Sequence, residues 1–313
     1  MKRIIGPTAI EARGVSFAYP DGIQALVDLS FRAMEGEIVA VMGANGSGKT
    51  TLLKVLMRLL HPEPGEVLLG AADVRNLRAS ELYRRVGMVF QNPADQLFAA
   101  SVEEDVAFGP RNEGLSEAEV AQRVEQSLAA VDALALRKRP IHHLSYGQQK
   151  RVCLAGVLAM QAGILLLDEP TAGLDPAGES QMIDLLVELN RQQKVTLIIA
   201  THCVDLLPVL ADRIYILARG RVWQEGAPHE VLADPQRVAE AGLRIPLVAQ
   251  LFHQLQDHSG MPVGAIPLTV AEAEQQILHW LAAADAGPIA AIGQRAGGVS
   301  RGAVTPRAEG DRP

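Results

Sequence analysis

Residues 39–50 combine a short apolar run, a glycine-rich loop and the start of a helical pattern. The loop fits G-x-x-x-x-G-K-[ST], with Gly43, Gly48, Lys49 and Thr50 at its defining positions. Glycines let backbone N–H groups converge on a phosphate without a Cβ clash, and the following helix adds its positive N-terminal end. The lysine reaches the β- and γ-phosphates, and the threonine hydroxyl can ligate Mg²⁺. The flanking strand and helix argue against a chance match. The predicted nucleotide-binding residues are Gly43, Ala44, Asn45, Gly46, Ser47, Gly48, Lys49, Thr50 and Thr51.

Charge and hydropathy exclude two kinds of function. The 313 residues include 29 Lys and Arg against 36 Asp and Glu, and the resulting net charge of −7 gives no basic field for nucleic acid. No run approaches the roughly 18 consecutive apolar residues of a membrane span. We therefore expect no nucleic-acid partner and no membrane-spanning helix. Cys153 and Cys203 lie in apolar surroundings, and we expect them to be buried free thiols in a reducing compartment.

The periodicity of apolar residues predicts the fold class. Residues 8–42 are rich in strand patterns, and a turn signal stands at Pro20-Asp21-Gly22. Buried apolar runs such as 164–167 and 196–200 alternate with helical patterns along the following chain. One of these patterns predicts a helix over 50–60. The alternation predicts an α/β protein with a parallel core sheet, to which the β-rich start adds an antiparallel layer.

Composition suggests three regions. The first is a domain over residues 8–228, with a helical insert at about 92–160 that contains two S-x-x-E capping boxes. The second, residues 229–286, is predicted to be a small, mainly helical extension. The third, residues 287–313, is dominated by Gly, Ala, Pro and Arg and is predicted to be a disordered tail.

A second acidic motif complements the glycine-rich loop. In an open α/β sheet, a metal site belongs at the carboxyl end of a strand, and the run Ile164–Leu167 leads directly into Asp168 and Glu169. We predict that Asp168 holds Mg²⁺ through water and that Glu169 polarises the attacking water. Taken alone, such a pair is equally well explained as a helix or turn cap. Its position after the loop, with Pro170 next, favours the metal site.

The pentapeptide Leu144-Ser145-Tyr146-Gly147-Gln148 begins 20 residues before that strand and opens an apolar helix. It resembles the signature of ATP-binding-cassette (ABC) ATPases, which aims a serine hydroxyl and a glycine N–H at a γ-phosphate. The commonest signature has Gly where this chain has Tyr146, a position that is not expected to touch phosphate. The resemblance covers about residues 8–228 and implies a P-loop NTPase fold of the ABC type.

Four further residues match the family pattern in order. Tyr19 resembles the aromatic residue that stacks on adenine, although it could be a plain strand residue. Gln91 resembles the Q-loop glutamine, a metal and water ligand that senses the transport partner. Asp175 ends a stretch that resembles the D-loop, which lies at the protomer contact. His202 resembles the switch histidine, which bonds the γ-phosphate.

The resemblance implies an ATPase that uses ATP and Mg²⁺ and works as a head-to-tail homodimer. In the family, the glycine-rich loop of one protomer faces the signature of the other. Two working sites are expected because every motif is intact in this chain. The implied catalytic residues are Lys49, Gln91, Glu169 and His202, and the implied Mg²⁺-binding residues are Thr50, Gln91 and Asp168.

The segment from Gln91 to Phe98, followed by residues 101–112, resembles the ATPases of energy-coupling-factor importers, which take up vitamins and transition-metal ions. The resemblance implies a peripheral position at the cytoplasmic face of the membrane, a transmembrane coupling subunit and a membrane-embedded substrate-binding subunit. The implied coupling surface consists of Asp95, Gln96, Leu97 and Phe98. Alternatively, Leu97 and Phe98 pack within the helical insert.

The cargo is the least determined feature. Residues 243–252 and 267–272 resemble the C-terminal extension of cobalt and nickel importers, so cobalt is favoured and nickel comes next. A vitamin importer and a non-transport ABC protein are the alternatives. The role of residues 229–313 stays open, and a regulatory or dimer-holding role fits their helical pattern.

Overall fold

The computed structural model of the chain describes residues 6–259 and 264–285. The chain divides into two compact units, Met1–Leu247 and Val248–Pro313. The boundary expected after residue 228 stays a prediction, and the predicted disordered tail lies outside the described residues. Within the described part of the chain, no helix has the length and apolarity needed to cross a membrane.

The described residues form β-strands and α-helices joined by short turns. The strands are β1 (Thr8–Ala18), β2 (Gln24–Met34), β3 (Ile38–Met42), β4 (Glu66–Leu69), β5 (Ala72–Asp73), β6 (Val86–Val89), β7 (Ile164–Asp168), β8 (Thr196–Thr201), β9 (Arg213–Ala218) and β10 (Arg221–Gly226). The helices are α1 (Lys49–Leu56), α2 (Ala79–Arg85), α3 (Val102–Asn112), α4 (Glu117–Ala130), α5 (Tyr146–Ala159), α6 (Pro176–Gln193), α7 (Leu207–Leu210), α8 (Pro228–Leu232), α9 (Pro235–Glu240), α10 (Leu247–Ser259) and α11 (Val270–Asp285).

The central sheet has the strand order β10-β9-β3-β8-β7-β6, and all its neighbours are parallel except the β10–β9 hairpin. Every residue of β3, β7 and β8 is buried. These strands are continuous apolar runs because both faces of the sheet are covered. In β7, Leu165 and Leu167 face the core formed with α4, α5 and α6, whereas Ile164 and Leu166 face the core formed with α1 and β1.

A second, antiparallel sheet has the order β2-β1-β4-β5. Leu52, Leu53, Val55 and Leu56 of α1 are buried in the apolar core shared with this sheet. The predicted parallel core, antiparallel layer, helical insert and helical extension are all present, so the predicted fold class is confirmed.

The capping residues explain where the insert helices begin. The Ser101 hydroxyl accepts a hydrogen bond from the Glu104 N–H at 3.4 Å, and the Glu104 carboxylate accepts from the Ser101 N–H at 3.2 Å. Ser116 and Glu119 form the same pair at the start of α4. Both predicted capping boxes are therefore confirmed.

Two local predictions were wrong. The helix expected over residues 50–60 ends at Leu56 because Arg58 adopts a left-handed conformation with φ of 57°. Its guanidinium donates to the carbonyls of Val74 at 2.9 Å and Leu77 at 2.6 Å, and these bonds hold the chain in its turn away from the helix. Cys153 is a buried free thiol as expected, but Cys203 is only half-buried.

The second unit contains α11 and most of α10. The Thr269 hydroxyl accepts from the Glu272 N–H at 3.2 Å and so caps the start of α11. The rings of Phe252 and Trp280 lie 5.4 Å apart and join the two helices.

Candidate nucleotide site

A cleft of about 410 Å³ lies where β3, β7 and β8 end. Because these strands are parallel neighbours, their carboxyl ends meet at one edge of the sheet, where ligands bind in open α/β folds. The cleft brings together twelve of the predicted site residues and three that no motif marks. The lining residues are Tyr19, Ile23, Gln24, Ala25, Asn45, Gly46, Ser47, Gly48, Lys49, Thr50, Thr51, Gln91, Asp168, Glu169 and His202.

The shape of the loop depends on two glycines. Gly48 caps α1 with φ of 106°, and a Cβ there would lie 2.6 Å from the Ala25 carbonyl oxygen. A Cβ on Gly43 would lie 2.3 Å from the Ser47 Oγ. Both distances are far below van der Waals contact, so larger residues would displace the loop. The loop therefore keeps its backbone close enough to a ligand for N–H groups to contact it.

Lys49 places a positive charge in the wall of the cleft. Its Nζ donates to the carbonyls of Gly43 at 2.8 Å and Ala44 at 3.3 Å. Neither Gly43 nor Ala44 lines the cleft. Burial lowers the pKa of Lys49, and the nearby carboxylates of Glu169 and Asp168 oppose that shift. The ammonium group is thus partly desolvated and is held by carbonyl oxygens that a phosphate could replace.

Asp168 and Thr50 form an oxygen-rich corner. The Thr50 hydroxyl donates to Asp168 Oδ2 at 2.8 Å. Among the described residues, Asp168 Oδ1 has no hydrogen-bond partner although it is buried, and neither has Ser47 Oγ. Burial raises the pKa of Asp168, while the Thr50 hydrogen bond opposes the rise. A buried carboxylate oxygen without a partner beside a hydroxyl, in a cleft that Gln91 also lines, provides oxygen donors of the kind that suit Mg²⁺.

Glu169 is held on several sides. The residue is 5% exposed, and its backbone has φ of 48°, an uncommon conformation for a residue other than glycine. The Thr201 hydroxyl donates to Oε2 at 3.2 Å, and His202 Nδ1 lies 2.8 Å from Oε1. Thr201 is the last residue of β8 and His202 follows it, and β8 is the neighbour of β7 in the sheet. The arrangement orients a carboxylate that can accept a proton from water.

Tyr19 forms the opposite side of the cleft. Its hydroxyl lies 3.1 Å from the Thr51 Oγ1, and its ring meets Phe17 edge-on at 5.0 Å. Ile23 is 61% exposed in the same cleft, and its carbonyl accepts from the Tyr19 N–H at 2.9 Å. The turn predicted at 20–22 could have indicated that Ile23 lies beside Tyr19, because a tight turn returns the chain alongside the residue that precedes it. An apolar surface of this kind suits an adenine ring.

The signature residues do not line this cleft. Ser145 is exposed at the N-cap of α5, where its hydroxyl accepts from the Gln148 N–H at 3.4 Å and the Gln148 amide oxygen accepts from the Ser145 N–H at 3.0 Å. Leu144 is buried. Asp175 caps α6 by accepting from the Gly178 N–H at 2.7 Å. The start of α5 thus presents an exposed helix N-terminus away from its own chain's glycine-rich loop.

The four residues of the predicted coupling surface face different ways. Gln96 accepts from the Phe90 N–H at 3.1 Å and donates to the Cys153 carbonyl at 3.0 Å, so its amide braces the loop against α5. Leu97 packs against the core of the helical insert. Asp95 is exposed. Phe98 is 66% exposed, and its ring lies 4.7 Å from that of Phe108.

Comparison with known proteins agrees with this geometry. The family model for ABC transporters matches residues 26–172. The energy-coupling factor transporter ATP-binding protein EcfA of Methanococcus maripaludis is 45% identical, over 87% of this chain and 98% of its own. The cobalt import ATP-binding protein CbiO of Rhodobacter capsulatus is 46% identical over 87% and 98%.

Two solved structures show the same fold. CbiO1 from Clostridium perfringens, part of the ABC transporter complex cbiONQ, is 38% identical with a TM-score of 0.68, over 79% of this chain and 99% of its own. A dimeric ATP-binding cassette in a post-hydrolysis state with ADP and Pi is 29% identical with a TM-score of 0.64, over 70% and 98%. The chain therefore belongs to the ATP-binding proteins of ABC transporters, in the energy-coupling-factor group.

Proposed function

We propose that this chain hydrolyses ATP to energise the uptake of a transition-metal ion, with cobalt favoured and nickel next. The observation that carries the proposal is the meeting of Lys49, Thr50, Asp168 and Glu169 in one cleft. In this proposal the chain binds a transmembrane coupling subunit at the cytoplasmic face of the membrane, and a membrane-embedded subunit binds the cargo. The names of the relatives EcfA and CbiO support this assignment.

The hydrolysis step follows from the residues in the cleft. Loop N–H groups and the Lys49 ammonium bind the phosphates, and Tyr19 contacts the base. A water oxygen attacks the γ-phosphorus while Glu169 accepts its proton, and the bond between the γ-phosphorus and the bridging oxygen breaks to release ADP and phosphate. His202 and Thr201 keep the Glu169 carboxylate oriented for this transfer. Positioning and charge stabilisation supply most of the rate.

The Thr50 hydroxyl, the Asp168 carboxylate and the Gln91 amide would hold Mg²⁺. When bound there, the ion would supply positive charge that offsets the charge of the nucleotide's phosphates. Asp168 Oδ1, buried without a hydrogen-bond partner among the described residues, supports this placement.

We further propose that each site is completed by a second copy of the chain. The exposed N-terminus of α5, with Ser145 and Gly147, would contact the γ-phosphate in the other protomer's cleft, and Asp175 would lie near the contact. A related cassette solved as a dimer supports this arrangement.

Mixing two defective variants tests the arrangement directly. Lys49→Ala damages the glycine-rich loop, and Ser145→Arg blocks the signature. A head-to-tail heterodimer of the two contains one site with an intact loop and an intact signature, so the mixture should regain hydrolysis that neither variant has alone. A site built from a single chain gives no recovery on mixing.

The exposed pair Phe98–Phe108 is the proposed contact with the coupling subunit. Apolar side chains exposed beside a nucleotide-contacting loop suit a partner groove. Phe98→Ser should lower co-purification of the coupling subunit and cargo uptake while ATP binding persists. The matched change Leu134→Ser alters another exposed apolar residue, outside the cleft, and should leave both measurements unchanged. Equal effects of the two changes would argue against the contact.

Uptake by cells that express the whole complex identifies the cargo. Labelled Co²⁺ and Ni²⁺ should accumulate with the wild-type chain and not with Glu169→Gln. In the described part of this chain, no cluster of three or more His, Cys, Asp or Glu residues that could hold a metal is present. Uptake of a vitamin in place of both ions would overturn the metal assignment.

A further inference from the structure

Two side chains of α5, the helix that begins at the signature, contact other loops of the same chain. Tyr146 and Lys150 are four residues apart and therefore share one face of the helix. The Lys150 Nζ lies 5.5 Å from the centre of the Tyr146 ring. Lys150 is only 2% exposed, and fully buried lysines are rare unless they have a polar partner.

The partner of Lys150 is the backbone of Glu169. Its Nζ donates to the Glu169 carbonyl oxygen at 2.6 Å, and the Ala172 N–H donates to the same oxygen at 3.2 Å. Glu169 has φ of 48°, a conformation that persists only when surrounding contacts hold it. A buried ammonium group on the carbonyl is such a contact, because hydrogen bonds from charged donors are roughly twice as strong as neutral ones.

Tyr146 contacts two other loops of the site. Its hydroxyl donates to the Gln91 carbonyl at 3.2 Å. Its ring lies over Gly173, where a Cβ would be 2.9 Å from Tyr146 Cε1 and where φ is 78°. The side chain thus occupies space that the glycine leaves open, and it links the loop of Gln91 to the loop that leads to Asp175.

We propose that Lys150 and Tyr146 are positioning residues, through which the signature helix sets the backbone of Glu169 and Gln91 in its own chain. The inference rests on the proposed function. The N-terminus of α5 contacts the phosphate bound by the second copy. The face of α5 with Tyr146 and Lys150 holds Glu169, the general base of its own site. In this proposal, α5 therefore connects the phosphate of one site with Glu169 of the other.

Steady-state ATPase kinetics on the full chain test the proposal. Lys150→Met keeps the volume and removes the donor, and it should lower kcat about 10²-fold, because small displacements of reacting groups cost that much. The KM for ATP should stay within about twofold, since neither side chain lines the cleft. Tyr146→Phe removes one hydroxyl from a partly exposed ring and should lower kcat about tenfold through the same mechanism. Lys150→Gln, which retains a donor, should recover part of the lost rate.

A matched control separates positioning from general damage to the helix. The Arg151 guanidinium donates to the Val131 carbonyl and the Gln181 side chain, away from the motif loops. Arg151→Met should lower the melting temperature with kcat retained. If Tyr146→Phe and folded Lys150→Met both keep the wild-type kcat, the proposal is wrong. A fall in kcat that only follows the melting temperature, as in the Arg151 control, also overturns it.

The Glu169→Gln background distinguishes this inference from the assignment of Glu169. If Lys150 acts by positioning Glu169, adding Lys150→Met to Glu169→Gln should cost little further rate, since residues that act as a unit are non-additive. Losses that multiply would overturn the positioning role and leave the function intact. Wild-type hydrolysis by Glu169→Gln alone would instead refute the assignment of Glu169 as the base, and a wild-type chain without ATPase activity would refute the proposed function.

Discussion

Replacing Glu169 by Gln should separate catalysis from stability. The amide keeps the shape of the side chain, and the hydrogen bonds of the carboxylate can survive the change. The amide oxygen can accept from the Thr201 hydroxyl, now 3.2 Å from Oε2, and the NH₂ group can donate to His202 Nδ1, now 2.8 Å from Oε1, in its other tautomer. The free energy of unfolding should therefore change by less than about 1 kcal/mol.

The effect on hydrolysis should be much larger. Because an amide cannot accept the proton of the attacking water, the variant loses a general base whose contribution is about 10²- to 10⁴-fold. At 1.36 kcal/mol for each factor of ten, the barrier should rise by about 3–5 kcal/mol. ATP affinity should persist, because the phosphates are bound by the loop and Lys49. Bound ATP that is not hydrolysed should favour the closed dimer.

Single-turnover hydrolysis, ATP titration and size-exclusion chromatography measure these three effects. Glu188→Gln is the matched control, because Glu188 is exposed on α6 and its carboxylate accepts from Gln192 on the same helix. The control should keep wild-type hydrolysis and dimerisation. A Glu169→Gln rate within about threefold of wild type would show that Glu169 is not the base, because losing a general base should lower the rate by far more than threefold.

Three further predictions concern charged groups. Lys49→Ala should weaken ATP binding about 10- to 100-fold, the worth of a charged hydrogen bond, and unchanged affinity by calorimetry would remove its phosphate role. Asp168→Asn should raise the melting temperature of the metal-free protein at neutral pH. Burial raises the pKa of Asp168, so the wild-type chain loses stability as pH rises through that pKa and the Asn variant does not. The melting temperatures of the two proteins should therefore converge in acid. An Asn variant that is less stable than wild type at neutral pH would contradict this. Arg213→Met should cost about 3–5 kcal/mol of unfolding free energy in urea. Glu37 is 1% exposed and its carboxylate lies 2.8 Å from the Arg213 guanidinium, so the change leaves that carboxylate buried without its charge partner. Adding Glu37→Gln should restore part of that loss, and a second loss of equal size would show that the pair is not coupled.

Local patterns predicted most of the fold. Continuous apolar runs identified β3, β7 and β8, since strands buried on both faces have no polar side to show. Ser-x-x-Glu sequences identified the starts of α3 and α4 because capping needs only residues that are three positions apart. The end of α1 was missed because it depends on Arg58 and carbonyls at 74 and 77, which are distant in sequence.

Residue types and their spacing along the chain are enough to identify the nucleotide site. Phosphate binding requires particular residue types at fixed spacing, so Gly43–Thr50 and the Asp168–Glu169 pair can be recognised along the chain. The sequence also placed them at strand ends, which a parallel sheet must bring to one edge.

How these residues are held, and which neighbours they have, depends on the packing of the folded chain. Asp168 Oδ1 is left without a partner in the described chain, Gln96 turns inward, and Lys150 reaches the Glu169 carbonyl. Each of these features depends on the direction of a side chain, which the packing of whole helices and strands sets. When two residues lie on different helices or strands, their spacing in the sequence does not say whether their side chains meet. The packing of those elements does.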